Sequence, residues 1–306
     1  MKIIKGPGEI PEFQKKTAVA IGNFDGVHLG HKKILETLVE EAQKNDLISV
    51  VLTFSPHPKK IVGKEPIEMI QSLDQRLASL SRFQIQATLI VHFDRHLASH
   101  TAQEFIQKVV LEPLKAAIII VGENFCFGKN RQGCSETLRT LAKANGFRVH
   151  IIPPVSIGNT TVSSSLIRNL LHEGQIEKAN ALLGRAYAIE GKVVQGQSRG
   201  KYLGFPTANI QTKNEILPEG VFLSNTVIGE QAFASITNVG KRPTFDQEGK
   251  NVESYILNFD DDIYGKQINL QFLKKIRDEK KFSSPLELAG QIRKDLTIAR
   301  DYFQIR

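Results

Sequence analysis

Between residues 17 and 184, short apolar runs alternate with stretches that have helical periodicity. Such alternation is typical of strand-helix-strand units, which build a parallel sheet covered by helices. The predicted strands are 17–21, 48–54, 88–93, 117–121 and 147–152, and the predicted helices between them are 31–44, 74–83, 102–111 and 136–145. We therefore predict an α/β domain with a Rossmann-like sheet over residues 1–184. Because such sheets bind ligands at the carboxyl ends of their strands, the loops 22–30, 54–60, 122–133 and 153–165 are candidate sites.

The pattern changes after two short predicted helices, 164–172 and 175–183. From residue 186 to about residue 277 the apolar residues recur with period two and turn residues interrupt them, which predicts an antiparallel barrel or sandwich. A last helix is predicted to begin at the capping box Ser284-Pro285-Leu286-Glu287. Its apolar face should pack on the strands. We therefore predict a second domain over residues 185–306.

Composition narrows the class of protein. The chain is 41% hydrophobic and 24% charged, and no apolar run approaches the roughly 20 residues that span a bilayer. Two cysteines and the lack of a signal-peptide core favour the reducing cytoplasm, with no membrane association. The net charge of +8 is spread over both halves, which favours phosphorylated small molecules over nucleic acid as partners.

The first predicted strand runs into the segment Gly22-Asn23-Phe24-Asp25-Gly26-Val27-His28-Leu29-Gly30-His31, and helical periodicity follows at once. Glycines allow a close approach of the backbone to a ligand, and a helix start presents free N–H groups, a combination that suits a polyphosphate. His28 and His31 could stabilise the charge that develops as pyrophosphate leaves. Two alternatives remain: the histidines only cap or pack the helix, or they bind zinc.

A second polar pattern lies in the barrel region. Gly196-Gln197-Ser198-Arg199-Gly200-Lys201 is a basic, glycine-containing segment that could fold over phosphates. Thr207 and Asn209 follow it in an extended segment, so their oxygens point the same way and suit Mg²⁺ bound mainly by ATP phosphates and water. The alternative is an edge strand that begins at Pro206 and carries two exposed polar residues.

These motifs carry a family resemblance. The segment Gly22–His31 resembles the His-x-Gly-His signature of the nucleotidyltransferase superfamily. Within that superfamily, its Gly-x-Phe-Asp-Gly part resembles the adenylyltransferase half of the bacterial bifunctional riboflavin kinase/FAD synthetase family. The resemblance implies nucleotide contacts at Gly22, Asn23, Phe24, Asp25 and Gly30, and catalytic roles for His28 and His31.

Three later segments of the first half are similar to the same family. Thr53-Phe54-Ser55-Pro56-His57-Pro58 implies flavin contacts at Phe54, Pro56, His57 and Pro58. The segment from Gly122 to Gly133 implies a nucleotide contact at Asn124, where many relatives carry Asp, and a flavin contact at Phe127. Val162-Ser163-Ser164-Ser165-Leu166-Ile167-Arg168 implies a triphosphate clamp of Ser163, Ser164 and Arg168, with Leu166 replacing a frequent Arg.

The second half resembles flavokinases. The hallmark is Gly204-Phe205-Pro206-Thr207-Ala208-Asn209, and further motifs follow in matching order. The resemblance implies a six-stranded barrel and makes Glu253 the base that takes the proton of the ribityl hydroxyl. It also implies nucleotide contacts at Ser198, Arg199, Gly200 and Lys201, Mg²⁺ contacts at Thr207 and Asn209, and a flavin contact at Arg277.

Together the two resemblances imply a bifunctional enzyme. The barrel would phosphorylate riboflavin to FMN, and the first domain would transfer AMP from ATP to FMN, giving FAD and pyrophosphate. The implied partners are riboflavin, FMN, FAD, ATP and Mg²⁺, without a tightly bound redox cofactor. Three points stay open: a non-catalytic flavin- or RNA-binding regulator, adenylylation or cytidylylation of another phosphate, and a weak homo-oligomer.

Overall fold

The first half of the chain forms the predicted parallel sheet, with one more strand than expected. A computed structural model describes residues 1–196, 204–241 and 250–305. The sheet has six strands in the order β1-β4-β3-β2-β5-β6, and every pair is parallel. They are β1 (Lys2–Lys5), β2 (Thr17–Ile21), β3 (Ile48–Ser55), β4 (Ala87–His92), β5 (Ala116–Gly122) and β6 (Arg148–Ile152). The predicted strands are confirmed, but β1 was missed because its four residues bury only Ile4.

Helices cover both faces of this sheet. One apolar cluster joins Ala20 and Ile120 of the sheet to Leu38 and Leu80, and the other joins Val19 and Leu52 to residues of the opposite layer such as Phe105 and Leu138. The helices are α1 (Leu29–Lys44), α2 (Pro58–Val62), α3 (Leu73–Ser81), α4 (Arg95–Ala98), α5 (Ala102–Phe105), α6 (Glu112–Leu114) and α7 (Ser135–Asn145). Two helical layers are needed because the central strands are buried on both faces: all five residues of β2 are buried, as are the six inner residues of β3.

The predicted helix 102–111 is confirmed only in part. It begins as predicted at the capping box of Thr101 and Glu104, whose side chains exchange hydrogen bonds with the opposite backbone N–H groups. From Ile106 to Leu111 it widens into a π-helix before α6. Pro113 accounts for the wider turn, because its ring lacks an N–H and crowds the carbonyl one turn earlier.

The second unit contains a closed barrel of six antiparallel strands, which confirms the barrel and excludes the sandwich. The order around the barrel is β10-β13-β12-β11-β14-β9. The strands are β9 (Tyr187–Val194), β10 (Ala208–Thr212), β11 (Gly220–Ile228), β12 (Gln231–Lys241), β13 (Lys250–Ile256) and β14 (Gln267–Arg277). A hairpin of β7 (Ser156–Ile157) and β8 (Thr160–Thr161) belongs to the first unit.

Among the described residues of the second unit, three helices accompany the barrel: α8 (Ser164–His172), α9 (Ile176–Leu183) and α10 (Pro285–Phe303). The predicted terminal helix is confirmed, since Ser284 caps α10 and Leu296, Ala299 and Phe303 pack on Val221 and Leu223 of the barrel's outer face. Asn180 of α9 donates a hydrogen bond to the barrel strand β14.

The chain divides into two compact units, one of residues 1–68 and 73–163 and the other of residues 69–72 and 164–306. Helices α8 and α9 group with the barrel in this division. The sequence-based boundary between residues 184 and 185 stays a prediction.

Candidate active sites

In the first unit, the candidate residues gather at the carboxyl edge of the sheet. The order of the strands reverses between β2 and β5, because β3 and β4 lie on one side of β2 and β5 and β6 on the other. Gly22 follows β2 and Gly122 ends β5, so the two loops open on this crevice. Open α/β sheets bind their ligands at such a switch point. The structure thus places the loop 22–28 where a nucleotide is expected.

The two histidines of the loop are stacked at the start of α1. The rings of His28 and His31 are 3.7 Å apart between centroids with an interplanar angle of 13°. His28 caps the helix, since its Nδ1 accepts a hydrogen bond of 3.3 Å from the His31 N–H. A Cβ at Gly30 would lie 3.1 Å from the His28 ring, so the glycine allows the close packing. The structure therefore confirms that His28 caps the helix, and the phosphate role of the two histidines stays a prediction.

The backbone of this loop is strained. Phe24 has a φ of 51° and Val27 a φ of 38°, both in the left-handed region that non-glycine residues rarely adopt. Phe24 and Asp25 are also almost completely buried. The buried Oδ1 of Asn23 accepts no hydrogen bond from the residues that the structure describes, so a ligand donor could satisfy it.

Arg76 holds this loop, and sequence reasoning missed it. Its side chain is buried, with 3% exposure, and it donates to the carbonyl oxygens of Asn23 (2.7 Å) and Phe54 (3.0 Å). Burial lowers the pKa of the Arg76 guanidinium, and the nearby Asp25 carboxylate acts in the opposite direction. One signal in the sequence was available: Arg76 lies on the apolar face of its helix. Leu73 and Leu80, which are seven residues apart, lie on the same side of that helix as Arg76.

The segment with implied flavin contacts ends β3. Phe54 packs edge-on to Phe93 at 5.8 Å between ring centroids, and a cis peptide bond joins Ser55 to Pro56. His57 caps α2 by accepting from the N–H of Lys59 at 3.1 Å, and Pro58 is the first helical residue. These residues therefore form one rigid turn next to the loop 22–28, to which Arg76 connects them.

The loop after β5 carries two further candidate residues, Asn124 and Phe127. Phe127 is buried and stacks on Phe125 with 5.3 Å between ring centroids. It also pairs through both backbone hydrogen bonds with Gly133, which closes the loop. Asn124 is exposed at the tip, and its carbonyl accepts a weak bond from the Cys126 thiol.

The clamp residues fall on both sides of the division between the units. Ser163 ends the first unit, and Ser164 and Arg168 belong to α8 in the second. Arg168 is 9% exposed, which is low for an arginine. The clamp of Ser163, Ser164 and Arg168 stays a prediction.

In the barrel, the predicted catalytic residues lie on neighbouring strands. Asn209 of β10 stands directly opposite Glu253 of β13, and Glu253 is in turn opposite Asn238 of β12. Directly paired side chains project to the same face of a sheet with about 5 Å between their Cβ atoms. Thr207, two residues before Asn209, follows the same face in extended chain. A Cβ at Gly196 would collide with the Asn209 amide, so that glycine makes room for it.

The carboxylate of Glu253 is oriented by its own strand. Its Oε1 accepts a hydrogen bond of 2.6 Å from the Asn251 amide, two residues earlier on the same face. The adjacent residues Val252 and Ser254 lie on the opposite face of the strand, point into the barrel and are buried. Glu253 itself is half-buried. The arrangement can place a proton acceptor beside neutral oxygen ligands, which fits a phosphoryl transfer from a metal-bound nucleotide.

Two further predictions concern Arg277 and the segment Ser198–Lys201. Arg277 ends β14, where its guanidinium binds the buried carboxylate of Asp295 through bonds of 2.8 to 3.1 Å. It also lies 5.9 Å from the ring centroid of Phe282. The predicted flavin contact of Arg277 therefore depends on a side chain that α10 already holds. The segment Ser198–Lys201 lies outside the described residues.

In residues 1–196, 204–241 and 250–305, no cluster of three His, Cys, Asp or Glu side chains has the geometry of a metal site, so zinc at the histidine pair gains no support. Within the same ranges, no helix has both the length and the apolar character needed to cross a membrane.

The first half of the chain is a doubly wound sheet with a histidine-containing loop at its switch point. The second half is a barrel in which an Asn and a Glu are paired across neighbouring strands. Together these features define a two-domain nucleotide-dependent transferase. The model of the FAD synthetase family matches residues 10–166, and that of the riboflavin kinase family matches residues 183–303. The chain belongs to the bifunctional riboflavin kinase/FMN adenylyltransferase family.

Relatives match this chain over nearly its whole length. A protein of Buchnera aphidicola from Acyrthosiphon pisum, described as a bifunctional riboflavin kinase/FMN adenylyltransferase, is 36% identical to this chain. The match covers 100% of this chain and 99% of that protein. The Escherichia coli K12 relative is 34% identical over 99% of this chain and 98% of its own. A solved Streptococcus pneumoniae structure, described as a macrolide-efflux protein, has a TM-score of 0.89 and 31% identity, covering 98% of this chain and 99% of that one.

Proposed function

We propose a division of labour in which each predicted domain, residues 1–184 and residues 185–306, performs one of the family's two ATP-dependent transfers. The barrel phosphorylates riboflavin to FMN, and the first domain adenylylates FMN to FAD with release of pyrophosphate. The single observation that supports this division best is the direct opposition of Asn209 and Glu253 on neighbouring strands of a barrel that lies apart in sequence from the histidine loop.

In the domain of residues 1–184, a phosphate oxygen of FMN attacks the α-phosphorus of ATP, and the bond to pyrophosphate breaks. Because FMN supplies the nucleophile, the protein needs none. The first N–H groups of α1 lack acceptors within the helix and can bind phosphate oxygens. His28 and His31 donate to the oxygens on which charge develops, and Ser163, Ser164 and Arg168 hold the triphosphate. Asn124 contacts the nucleotide in this proposal.

The flavin of FMN binds at the turn that ends β3. Phe54 and Phe127 supply apolar surface, and Pro56, His57 and Pro58 supply a rigid edge that a flat ring can pack against. Arg76 ties this turn to the loop 22–28 and so brings the acceptor and the nucleotide to one edge of the sheet.

In the barrel, Glu253 takes the proton from the terminal ribityl hydroxyl as that oxygen attacks the γ-phosphorus of ATP. The hydrogen bond from Asn251 occupies Oε1 and leaves Oε2 for the hydroxyl. The oxygens of Thr207 and Asn209 fit a magnesium ion, which would neutralise charge on the ATP phosphates when bound. Ser198, Arg199, Gly200 and Lys201 cover the phosphates and Arg277 faces the flavin in this proposal.

The cellular setting follows from the chemistry. We place the protein in the cytoplasm, where Cys126 and Cys134 stay reduced and ATP is abundant. Small molecules and not nucleic acids are its partners in this proposal. A redox cofactor is not required, because neither transfer changes an oxidation state.

Labelled ATP tests both steps at once. Purified protein is incubated with riboflavin, magnesium and ATP labelled at either the α- or the γ-phosphorus, and the flavins are separated over time. We expect the γ-label in FMN and later in FAD, and the α-label in FAD alone. Production of FMN without α-labelled FAD would refute the assignment of the first unit. FAD from supplied FMN, with no γ-labelled FMN from riboflavin, would refute that of the barrel.

A further inference from the structure

Arg76 is a buried charge that donates hydrogen bonds to two candidate loops. One of its terminal nitrogens donates to the Asn23 carbonyl and the other to the Phe54 carbonyl. The first carbonyl belongs to the histidine loop and the second to the turn with implied flavin contacts. A planar guanidinium with two outward donors fits two carbonyls at a fixed separation, which a single ammonium group cannot do.

The Asn23 carbonyl has a second donor. The hydroxyl of Thr53, completely buried in β3, donates to it at 3.1 Å. The neighbouring Gly22 N–H donates to the Leu52 carbonyl at 3.1 Å. Three hydrogen bonds therefore fasten the first two residues of the loop to β3 and α3, whereas the next residues enter the left-handed region.

Strain explains why the loop needs this fastening. Left-handed conformations at non-glycine residues cost about 1–3 kcal/mol each and persist only where the surroundings impose them. Phe24 and Val27 both pay such a cost, and His28 and His31 follow directly. A loop released at Asn23 would relax, and the histidine rings would lose their position at the helix start.

We propose that Arg76 is a positioning residue for adenylyl transfer, which sets the histidine loop and the flavin-side turn in register with each other. The proposal rests on the proposed function of the first unit. Asp25, buried beside it, is its charge partner. Arg76 itself touches neither reacting atom, so it acts through the Asn23 and Phe54 peptides.

The test is steady-state FAD formation from supplied FMN by Arg76→Met, Arg76→Lys and Thr53→Val. Arg76→Met keeps an apolar stem but removes both donors, and it should raise the KM for ATP and for FMN, each by about 10- to 100-fold, as expected for lost hydrogen bonds of a charged donor. Arg76→Lys should raise at least one KM by a smaller factor. Thr53→Val should raise the KM for ATP and leave the KM for FMN unchanged, because the Thr53 hydroxyl donates to the Asn23 carbonyl of the histidine loop.

The design separates positioning from stability. A variant that is merely less folded has fewer active molecules, so its kcat falls and both KM values stay at wild type. Arg82→Met, an exposed arginine just beyond α3, is the matched control and should behave as wild type. Riboflavin phosphorylation, measured in the same samples, reports on the barrel.

Each outcome has a defined meaning. Raised KM values for both substrates in Arg76→Met, with the Thr53→Val effect confined to ATP, support the proposal. Unchanged KM values in Arg76→Lys and Thr53→Val overturn it, even where Arg76→Met fails to fold. If the wild-type protein makes no FAD, the proposed function itself is refuted. If the wild-type protein makes FAD and the Arg76 variants have the same KM values, only the role of Arg76 is refuted.

Discussion

Replacing Glu253 by Gln tests the barrel chemistry with the smallest change of shape. Gln has the same size as Glu, and its carbonyl oxygen can keep the hydrogen bond that Asn251 donates at 2.6 Å. The register with Asn209 and Asn238 does not depend on charge, so the strands should stay paired. What the substitution removes is the ability to accept a proton from the ribityl hydroxyl.

The size of the effect follows from that single loss. A positioned general base contributes about 10²- to 10⁴-fold to a rate, so riboflavin phosphorylation by Glu253→Gln should fall by at least about 100-fold. The KM for ATP should change little, because the proposed metal ligands Thr207 and Asn209 are untouched. FAD formation from supplied FMN should stay within about twofold of wild type, since the proposed adenylyl transfer uses other residues than Glu253.

Glu190→Gln provides a matched control. Glu190 of β9 is also half-buried, and its Oε1 accepts from the Asn269 amide at 3.2 Å, as Glu253 does from Asn251. It lies in a different part of the barrel, so this variant should retain wild-type phosphorylation. Separation of the flavins after single turnovers measures both reactions. A loss of less than about fivefold in Glu253→Gln, or an equal loss in Glu190→Gln, would refute the reasoning.

Four further predictions follow from the same contacts. His31→Gln should reduce FAD formation by about 10²- to 10³-fold and spare riboflavin phosphorylation, as flavin separation will show. Asp295→Ala leaves the guanidinium of Arg277 without its buried partner and should lower the free energy of unfolding by about 3–5 kcal/mol, measured in urea. Hydrogen bonds lower the pKa of the Cys134 thiol, so its alkylation rate should reach half-maximum at a lower pH than for an ordinary cysteine, with peptide mass spectrometry as the measure. Backbone and side-chain hydrogen bonds lower the pKa of Glu104 to about 2, so NMR should show its carboxylate ionised at pH 4, and the stability it adds should be lost as pH falls from 4.5 towards 2.

The strands of the first unit were predictable because each is apolar and bounded by turn residues. Ile48–Ser55 is buried along nearly its whole length, as a central parallel strand must be, so its hydrophobic run is unmistakable. Lys2–Lys5 has no such signal, because it lies at the sheet edge and buries one side chain. Its pairing with β4 depends on a neighbour 85 residues away in the chain.

Part of the candidate site was also predictable from local motifs. The histidine pair and the loop around it are contiguous in sequence, and the structure keeps them together in one turn. The opposition of Asn209 and Glu253 was not predictable from spacing, since 43 intervening residues and a strand register decide it. Arg76 escaped notice for the same reason: only the packing of α3 on the sheet shows which carbonyls it reaches.

The amino-acid sequence alone determined the two kinds of architecture and the segments in which chemistry resides, because periodicity and turn residues are local properties of the chain. It also predicted the terminal helix and its cap at Ser284. Tertiary structure alone decided the strand order that creates the switch point, the burial that makes Arg76 a paired internal charge, and the engagement of Arg277 by Asp295. These features arise from contacts between residues far apart in the chain, whose partners no local pattern specifies.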